Sequence, residues 1–212
     1  LLYNLLNNQN TEKAEALFNI LNVKISDILQ DIRSIRTKRE VVFMPYKASM
    51  WDSMDSVWNQ AIEDDDNEVF VVPIPFFERN SDFSFGKMHY EGYDLPNYVP
   101  ITKWNEYSLQ EHRPDIVFIH NPYDQCNTIT SVMPQFYSSE LKKYVETLVY
   151  VPYYLFPGKI EKHLIDVPGV LYADYVCVQN KMVQSKYIEV LKERTDKSIE
   201  AVSYTHLRAH ET

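Results

Sequence analysis

Residues 115–152 read DIVFIHNPYDQCNTITSVMPQFYSSELKKYVETLVYVP, and this stretch decides the fold. Two apolar runs, at residues 116–119 and 148–151, enclose a polar and aromatic segment. Short runs rich in Val and Ile, without strict alternation, are typical of strands that are buried on both faces of a parallel sheet. The other predicted strands have the same character and lie at residues 41–44, 69–74 and 175–178.

Helical segments alternate with these strands. They lie at residues 50–62, 138–145 and 181–194, and a short turn lies at residues 108–112. Alternating strands and helices predict a doubly wound α/β domain with a mostly parallel sheet over residues 40–200.

One connection, residues 76–103, is unusually long and rich in aromatic side chains. Long ordered loops often line or close a functional site, so this connection is a candidate wall of such a site. The alternative is a β-hairpin or a cover packed on the edge of the sheet.

A long helix is predicted ahead of the domain, over residues 1–39. Its apolar side chains recur in alternating steps of four and three, which is the pattern of a heptad seam. The helix is either a coiled coil that joins copies of the chain through residues 14–35, or an amphipathic helix packed on its own domain. The seam consists of Ala14, Phe18, Leu21, Ile25, Ile28, Ile32 and Ile35.

Residues 202–212 read VSYTHLRAHET, which matches the translation of a common sequencing-library adapter. We expect residues 201–212 to be such a scar and to make no packed contribution to the fold. The chain opens within a helical pattern and without an initiator methionine, so we also expect it to be a piece of a longer protein.

The net charge of −9 argues against nonspecific binding of nucleic acid. No run approaches the ~18 apolar residues of a membrane span. Cys126 and Cys177 fit neither a disulfide framework nor a zinc pattern, so we expect reduced thiols, no metal site and a cytoplasmic protein. The four glycines form neither GxGxxG nor GxxxxGK, so these nucleotide phosphate sites are absent and no cofactor is predicted.

Polar side chains gather where the strand at residues 116–119 ends. In an open parallel sheet, ligands bind in the crevice beyond the carboxyl ends of the strands. His120, Asn121, Tyr123 and Asp124 follow this strand, and we expect them to face such a crevice. Asn121 and Tyr123 are candidate substrate-binding residues. Asp124 would orient His120 or bind substrate, or it would cap the next turn.

The first and fourth strands add three candidate substrate-binding residues. Lys47 and Ser49 precede a predicted helix, and a helix N-terminus favours anions such as phosphate. The alternative is a solvated lysine beside an ordinary helix cap. Tyr153 follows the fourth strand and would stack on a ligand or pack against the protein.

Two histidines are candidate catalytic bases. A general base must reach the hydroxyl that it deprotonates, and His120 at a strand end is placed for this. The alternative is a strand-end histidine bonded to the backbone. His163, in the charged loop IEKHLID, is the second candidate, with an ordinary surface position as its alternative.

Six segments resemble, in their order, bacterial proteins of the CDP-glycerol glycerophosphotransferase family. The resemblance covers residues 41–191. The segments are VVFMPYKASMWDSMDSVW, HYEGYDLPNYVPIT, FIHNPYD, SSELKKY, LVYVPYY and VPGVLYADYVCVQ.

This resemblance implies a GT-B architecture of two facing Rossmann-like domains, with residues 40–200 as the N-terminal, acceptor-side half. It implies transfer of glycerol phosphate from CDP-glycerol to a polymer hydroxyl, as in teichoic-acid-like cell-envelope synthesis. The acceptor would be a polyol phosphate or a glycan. The donor would bind mainly to a C-terminal domain outside this chain, so this part alone is expected to be inactive. The implied place is the inner face of the cell membrane, with peripheral association.

In much of that family the base is the His of a Trp-His-Gly motif after the fourth strand. The matching place here reads Val151-Pro152-Tyr153-Tyr154, which has no histidine. His120 or His163 would have to substitute. Two other classes of protein stay open: a small-ligand-binding α/β module without catalysis, and a coiled-coil scaffold with a degenerate α/β domain.

Overall fold

The computed structural model describes residues 11–34, 38–156, 160–192 and 200–203, and the chain divides into two compact units, Leu1–Thr37 and Lys38–Thr212. In the first unit a single helix is described, α1 (Thr11–Ser34), which confirms the predicted long N-terminal helix over these residues. The large apolar side chains described between Leu17 and Leu29 are about half exposed, with Phe18 at 62% and Ile28 at 56%. The coiled coil stays a prediction.

The described part of the second unit, here called the domain, contains nine strands. They are β1 (Arg39–Met44), β2 (Asn67–Val71), β3 (Phe76–Arg79), β4 (Phe85–His89), β5 (Ile116–Ile119), β6 (Thr130–Val132), β7 (Thr147–Tyr150), β8 (Tyr175–Val178) and β9 (Glu200–Ser203). Six of them form one sheet in the order β2-β1-β5-β7-β8-β9, and every neighbouring pair is parallel. The predicted α/β class with a mostly parallel sheet is therefore confirmed.

Helices connect and cover these strands. Within the described ranges, none of the chain's helices has the length and apolar character needed to cross a bilayer. The α-helices of the domain are α2 (Asp52–Glu63), α3 (Leu109–His112), α4 (Ser138–Leu141), α5 (Pro168–Leu171) and α6 (Lys181–Lys192). Short 3-10 turns lie at Ala48–Met50, Gly92–Asp94, Asp124–Cys126, Pro134–Phe136 and Lys162–Leu164.

The sheet is buried on both faces, as its unalternating apolar strands predict. Along β1, Val42 and Met44 belong to one core cluster, whereas Val41 and Phe43 belong to a second cluster on the other face. Helix α2 covers the second face with Trp51, at its N-terminal boundary, and with Met54 and Trp58.

The second strand ends earlier than predicted, at Val71 rather than at residue 74. Pro73 has no backbone N–H and cannot extend a regular ladder. The flanking residues still run beside β1, because the N–H of Val72 donates to the Phe43 carbonyl at 2.8 Å.

The long connection at residues 76–103 contains a β-hairpin, which is the alternative that the sequence left open. Strands β3 and β4 pair antiparallel, and β6 pairs with the other edge of β3. The sequence did not predict β6, because it is three residues long and its register depends on the distant strand β3.

Strand β9 changes the interpretation of the C-terminal segment. Its residues Ala201–Ser203 fall within the predicted adapter scar, yet their backbone pairs with β8 from Val176 to Val178. The expectation of no packed contribution therefore does not hold for these three residues. The adapter origin stays a prediction, and the rest of the segment lies outside the described residues.

Candidate functional site

The site lies at the carboxyl edge of the parallel sheet. Chain order reverses between β1 and β5, which are neighbours although β2 precedes β5 in sequence and lies on the far side of β1. Such a switch point leaves a crevice where ligands bind in α/β sheets. Two adjoining clefts open here, and Tyr153 lines both of them.

The first cleft, here called the lysine cleft, has a volume of about 410 Å³. It lies beyond the ends of β1 and β5, and the loop that leads into β6 forms its outer wall. Its lining residues are Tyr46, Lys47, Met50, Tyr123, Cys126, Asn127, Thr128, Ile129, Thr130 and Tyr153.

Lys47 is the only cation among the described residues that line the lysine cleft. Its Nζ lies 5.3 Å from the centre of the Phe76 ring and 5.7 Å from that of Tyr46, within the range of cation–π contacts. No described carboxylate forms an ion pair with it. The half-buried ammonium is therefore available to an anionic ligand.

Phenol groups line the lysine cleft together with this ammonium. Burial, and after it the phenols of Tyr153 and Tyr123, raise the pKa of Tyr46 far above its ordinary value, and burial also raises the pKa of Tyr153. These two phenols stay protonated at neutral pH. They also hydrogen-bond to each other, which leaves one of their two protons to donate to a bound ligand.

The outer wall of the lysine cleft is held by its own backbone contacts. The Oδ1 of Asn127 accepts hydrogen bonds from the N–H groups of Ile129 at 2.9 Å and Thr130 at 3.2 Å. Arg79 donates to the Gln125 carbonyl at 3.4 Å, which ties this loop to the hairpin. These hydrogen bonds hold the outer wall as an ordered turn.

His120 lies beneath the lysine cleft and is absent from its described lining. Its side chain is fully buried, and its Nε2 accepts a hydrogen bond from the Tyr46 N–H at 3.0 Å. Burial lowers its pKa to about 3, and the Met50 carbonyl only partly offsets this. A neutral imidazole held this way favours the structural alternative, a strand-end histidine bonded to the backbone.

Asn121 and Asp124 are buried in the loop that follows β5. Asp124 accepts hydrogen bonds from Asn121 Nδ2 at 3.0 Å and from the Ser138 N–H at 2.7 Å. Burial raises its pKa to about 6, opposed by these hydrogen bonds, and its φ of 44° is left-handed. Asp124 thus bonds the backbone at the start of α4, whereas the next turn, Asp124–Cys126, has no side-chain cap. Its hydrogen-bond partners do not include His120.

Of the two residues predicted to bind an anion, Lys47 and Ser49, only Lys47 lines the cleft. Ser49 is exposed and is not among the described lining residues. The Ala48 N–H at the start of the 3-10 turn donates to Glu91 at 2.9 Å, so a carboxylate of the protein already occupies the position where an anion was expected.

His163 lies elsewhere on the domain. It is exposed on the 3-10 turn Lys162–Leu164 and lines neither cleft among the described residues. Of the eight predicted site residues, the structure brings Lys47, Tyr123 and Tyr153 together in one cleft. Asn121, Asp124 and His120 lie in the layer beneath it, and Ser49 and His163 lie outside.

The second cleft, here called the aspartate cleft, has a volume of about 360 Å³. It lies beyond β7 and β8, beside the first turn of α2. Sequence reasoning missed Asp52 and Gln179, although Gln179 follows β8 as His120 follows β5. The described lining consists of Asp52, Ser53, Val151, Pro152, Tyr153, Tyr154, Leu155, Cys177, Val178 and Gln179.

Two further observations bear on function. Across the described residues, no three His, Cys, Asp or Glu side chains gather in a way that could hold a metal ion. No protein-family model, no curated protein and no solved structure matches the chain. The chemistry of the two clefts therefore carries the functional argument.

Proposed function

We propose that the domain is the acceptor-binding part of a transferase that moves glycerol phosphate from CDP-glycerol to a hydroxyl of a growing polymer. The lysine cleft would bind a phosphate-bearing end of that acceptor. The single observation that carries this proposal is the unpaired ammonium of Lys47 at the switch point of the sheet.

The chemistry of the lysine cleft suits a polyol phosphate. A phosphate would meet Lys47, whose point charge is a common partner of such anions. Hydroxyl groups of the same ligand would find the phenols of Tyr123 and Tyr153 and the side chain of Thr130, which line the same space. A purely apolar ligand would leave the ammonium desolvated and unpaired.

The resemblance to CDP-glycerol glycerophosphotransferases supports the transferase part of the proposal. In such an enzyme the donor nucleotide would bind to a second domain facing this one. The enzyme would act in the cytoplasm at the inner face of the membrane, in peripheral association with it.

One observation favours a second candidate, a small-ligand-binding module without catalysis. No histidine is among the described residues that line either cleft, so neither predicted base is placed to deprotonate a bound hydroxyl. Both candidates share the same ligand site. They differ in whether a further group supplies the base.

Calorimetric titration of the full chain with glycerol 3-phosphate tests the shared site. Replacing Lys47 by Met keeps most of the length of the side chain and removes the charge. We expect Lys47→Met to weaken binding about tenfold or more, equivalent to about 1.4 kcal/mol. Lys87→Met, on the exposed strand β4, is the matched control and should bind as wild type does. Equal affinities for the two variants would contradict the proposal.

A further inference from the structure

The aspartate cleft differs from the lysine cleft in charge. It contains one carboxylate, that of Asp52, and no cation among the described residues that line it. We propose that it is a subsite for an uncharged polyhydroxyl group, such as a sugar ring. The assignment of this subsite to the acceptor rests on the proposed function. The binding of a sugar in the aspartate cleft does not depend on that function.

The polar groups of this cleft match the hydroxyl group, which both donates and accepts hydrogen bonds. Asp52 has an exposed carboxylate with no ion-pair partner among the described residues, so it can accept from a hydroxyl. The Oε1 of Gln179 accepts from the Phe156 N–H at 3.2 Å, and this contact leaves the amide nitrogen as a donor.

The apolar part of the cleft matches the C–H face of a sugar ring. Tyr153 and Tyr154 meet edge to face, with ring centres 5.0 Å apart and planes at 79°, so they present two walls at right angles. Leu155 is 79% exposed at the rim. Aromatic and aliphatic walls with a few placed polar groups are typical of small-molecule sites.

Charged ligands fit this cleft less well. A phosphate would face the Asp52 carboxylate with no cation beside it. An ammonium group would use that carboxylate and the tyrosine rings, as in aromatic cages. It would, however, leave the donor of Gln179 unused, and it is far smaller than a space of about 360 Å³.

The two clefts adjoin through Tyr153, which lines both. A ligand that spans them would place its anionic group at Lys47 and its uncharged hydroxyl-bearing part at Asp52. The opposite charges of these two side chains would therefore fix the orientation of the ligand as well as its position.

The test is a titration of the isotope-labelled full chain, followed by NMR, with methyl β-glucopyranoside, choline and inorganic phosphate in turn. Two substitutions preserve side-chain shape. Asp52→Asn removes the negative charge of the acceptor, and Gln179→Glu removes the amide donor. We expect methyl β-glucopyranoside to shift the amide signals of Tyr153–Leu155, and each variant to weaken its binding about tenfold. Asp94→Asn, outside both clefts, is the matched control.

Phosphate binding should be unchanged by Asp52→Asn if the clefts act as separate subsites. The inference is overturned if the glucoside causes no shift in folded wild-type protein, if both variants bind it normally, or if choline alone binds in an Asp52-dependent way. If phosphate binding does not depend on Lys47 while the glucoside still binds, the proposed function is refuted and this subsite is not.

Discussion

At the scale of single residues, His120 shows that a histidine placed in the sequence like a catalytic base can instead have a structural role. A histidine at the end of a strand is expected both for a catalytic base and for a backbone acceptor. What separates the two roles is the depth of the side chain, which depends on Tyr46 and Tyr153 packing edge to face against the ring. Those contacts join three strand ends, and no local pattern reveals them.

We predict that His120→Ala destabilises the domain. The substitution leaves the Tyr46 N–H without its acceptor and opens a cavity, so the free energy of unfolding should fall by about 2–4 kcal/mol. Urea denaturation measures it. The exposed His163 is the control, and His163→Ala should stay within about 0.5 kcal/mol of wild type. Equal, small effects would refute the structural role of His120.

His120 also predicts a pH dependence of stability. Its pKa in the folded domain is about 3, below the ordinary 6.5, so between these values the unfolded chain binds the extra proton. The stability from the neutral imidazole is complete above about pH 6.5 and is lost as pH falls toward 3. The difference in free energy of unfolding between wild type and His120→Ala should therefore shrink by up to about 1.4 kcal/mol per pH unit below 6.5.

Urea denaturation of both proteins from pH 7 to pH 4 checks this. Asp124, whose pKa is raised to about 6, acts in the opposite direction, but it is present in both proteins and cancels in the difference. An advantage that stays constant over this range would show that the imidazole is not held neutral.

At the scale of elements, α5 holds the loop that follows β5. The Gly169 N–H donates to the Pro122 carbonyl at 2.7 Å. A Cβ on Gly169 would lie 2.6 Å from the Cα of Pro122, which is closer than two such atoms can approach. The missing side chain therefore lets α5 touch the backbone beneath the lysine cleft.

Gly169→Ala should lower the free energy of unfolding by about 1–3 kcal/mol, because backbone must move to admit the methyl group. Gly92→Ala is the matched control. Its Cβ would meet the ring end of Tyr90, a side chain that can turn aside. Thermal unfolding of the two variants compares them, and a loss for Gly169→Ala no larger than for Gly92→Ala would contradict the close contact.

The helix α1 carries a prediction of its own. Most of the stability of a helix in a protein comes from the packing of its apolar face, and the seam residues Phe18, Ile25 and Ile28 are about half exposed. If the seam joins copies of the chain, Ile25→Lys should convert an oligomer to a monomer in analytical ultracentrifugation. Val23→Lys, off the seam, should not. A monomeric wild-type chain would exclude the oligomer.

Sequence patterns predicted some strands more accurately than others. The apolar runs located β5 and β8 to the residue, because strands buried on both faces leave a strong local signal. They missed β6, whose three residues pair with β3, 52 or more positions earlier along the chain. Pairing of this kind depends on tertiary contacts and has no periodicity of its own.

At the scale of the whole molecule, parallel strands bring all their carboxyl ends to one edge, and this rule predicts that the residues following the strands share one crevice. Lys47, Tyr123 and Tyr153 do line one cleft, whereas His120 and Asn121, which were expected beside them, do not. The rule did not predict which strand-end residues lie below that surface, because depth depends on packing between distant segments. Asp52 and Gln179 come from α2 and from the end of β8, which share no sequence motif.

We propose that the lysine cleft binds a phosphate-bearing ligand at the carboxyl edge of the sheet. The most direct test is an NMR correlation spectrum of the labelled full chain with and without glycerol 3-phosphate. We predict shifts of the backbone amide signals of Lys47, Tyr123, Thr128 and Tyr153, which line that cleft. Shifts confined to the amino edge, around Glu40 and His112, or no shifts at all, would show that the lysine cleft does not bind this ligand.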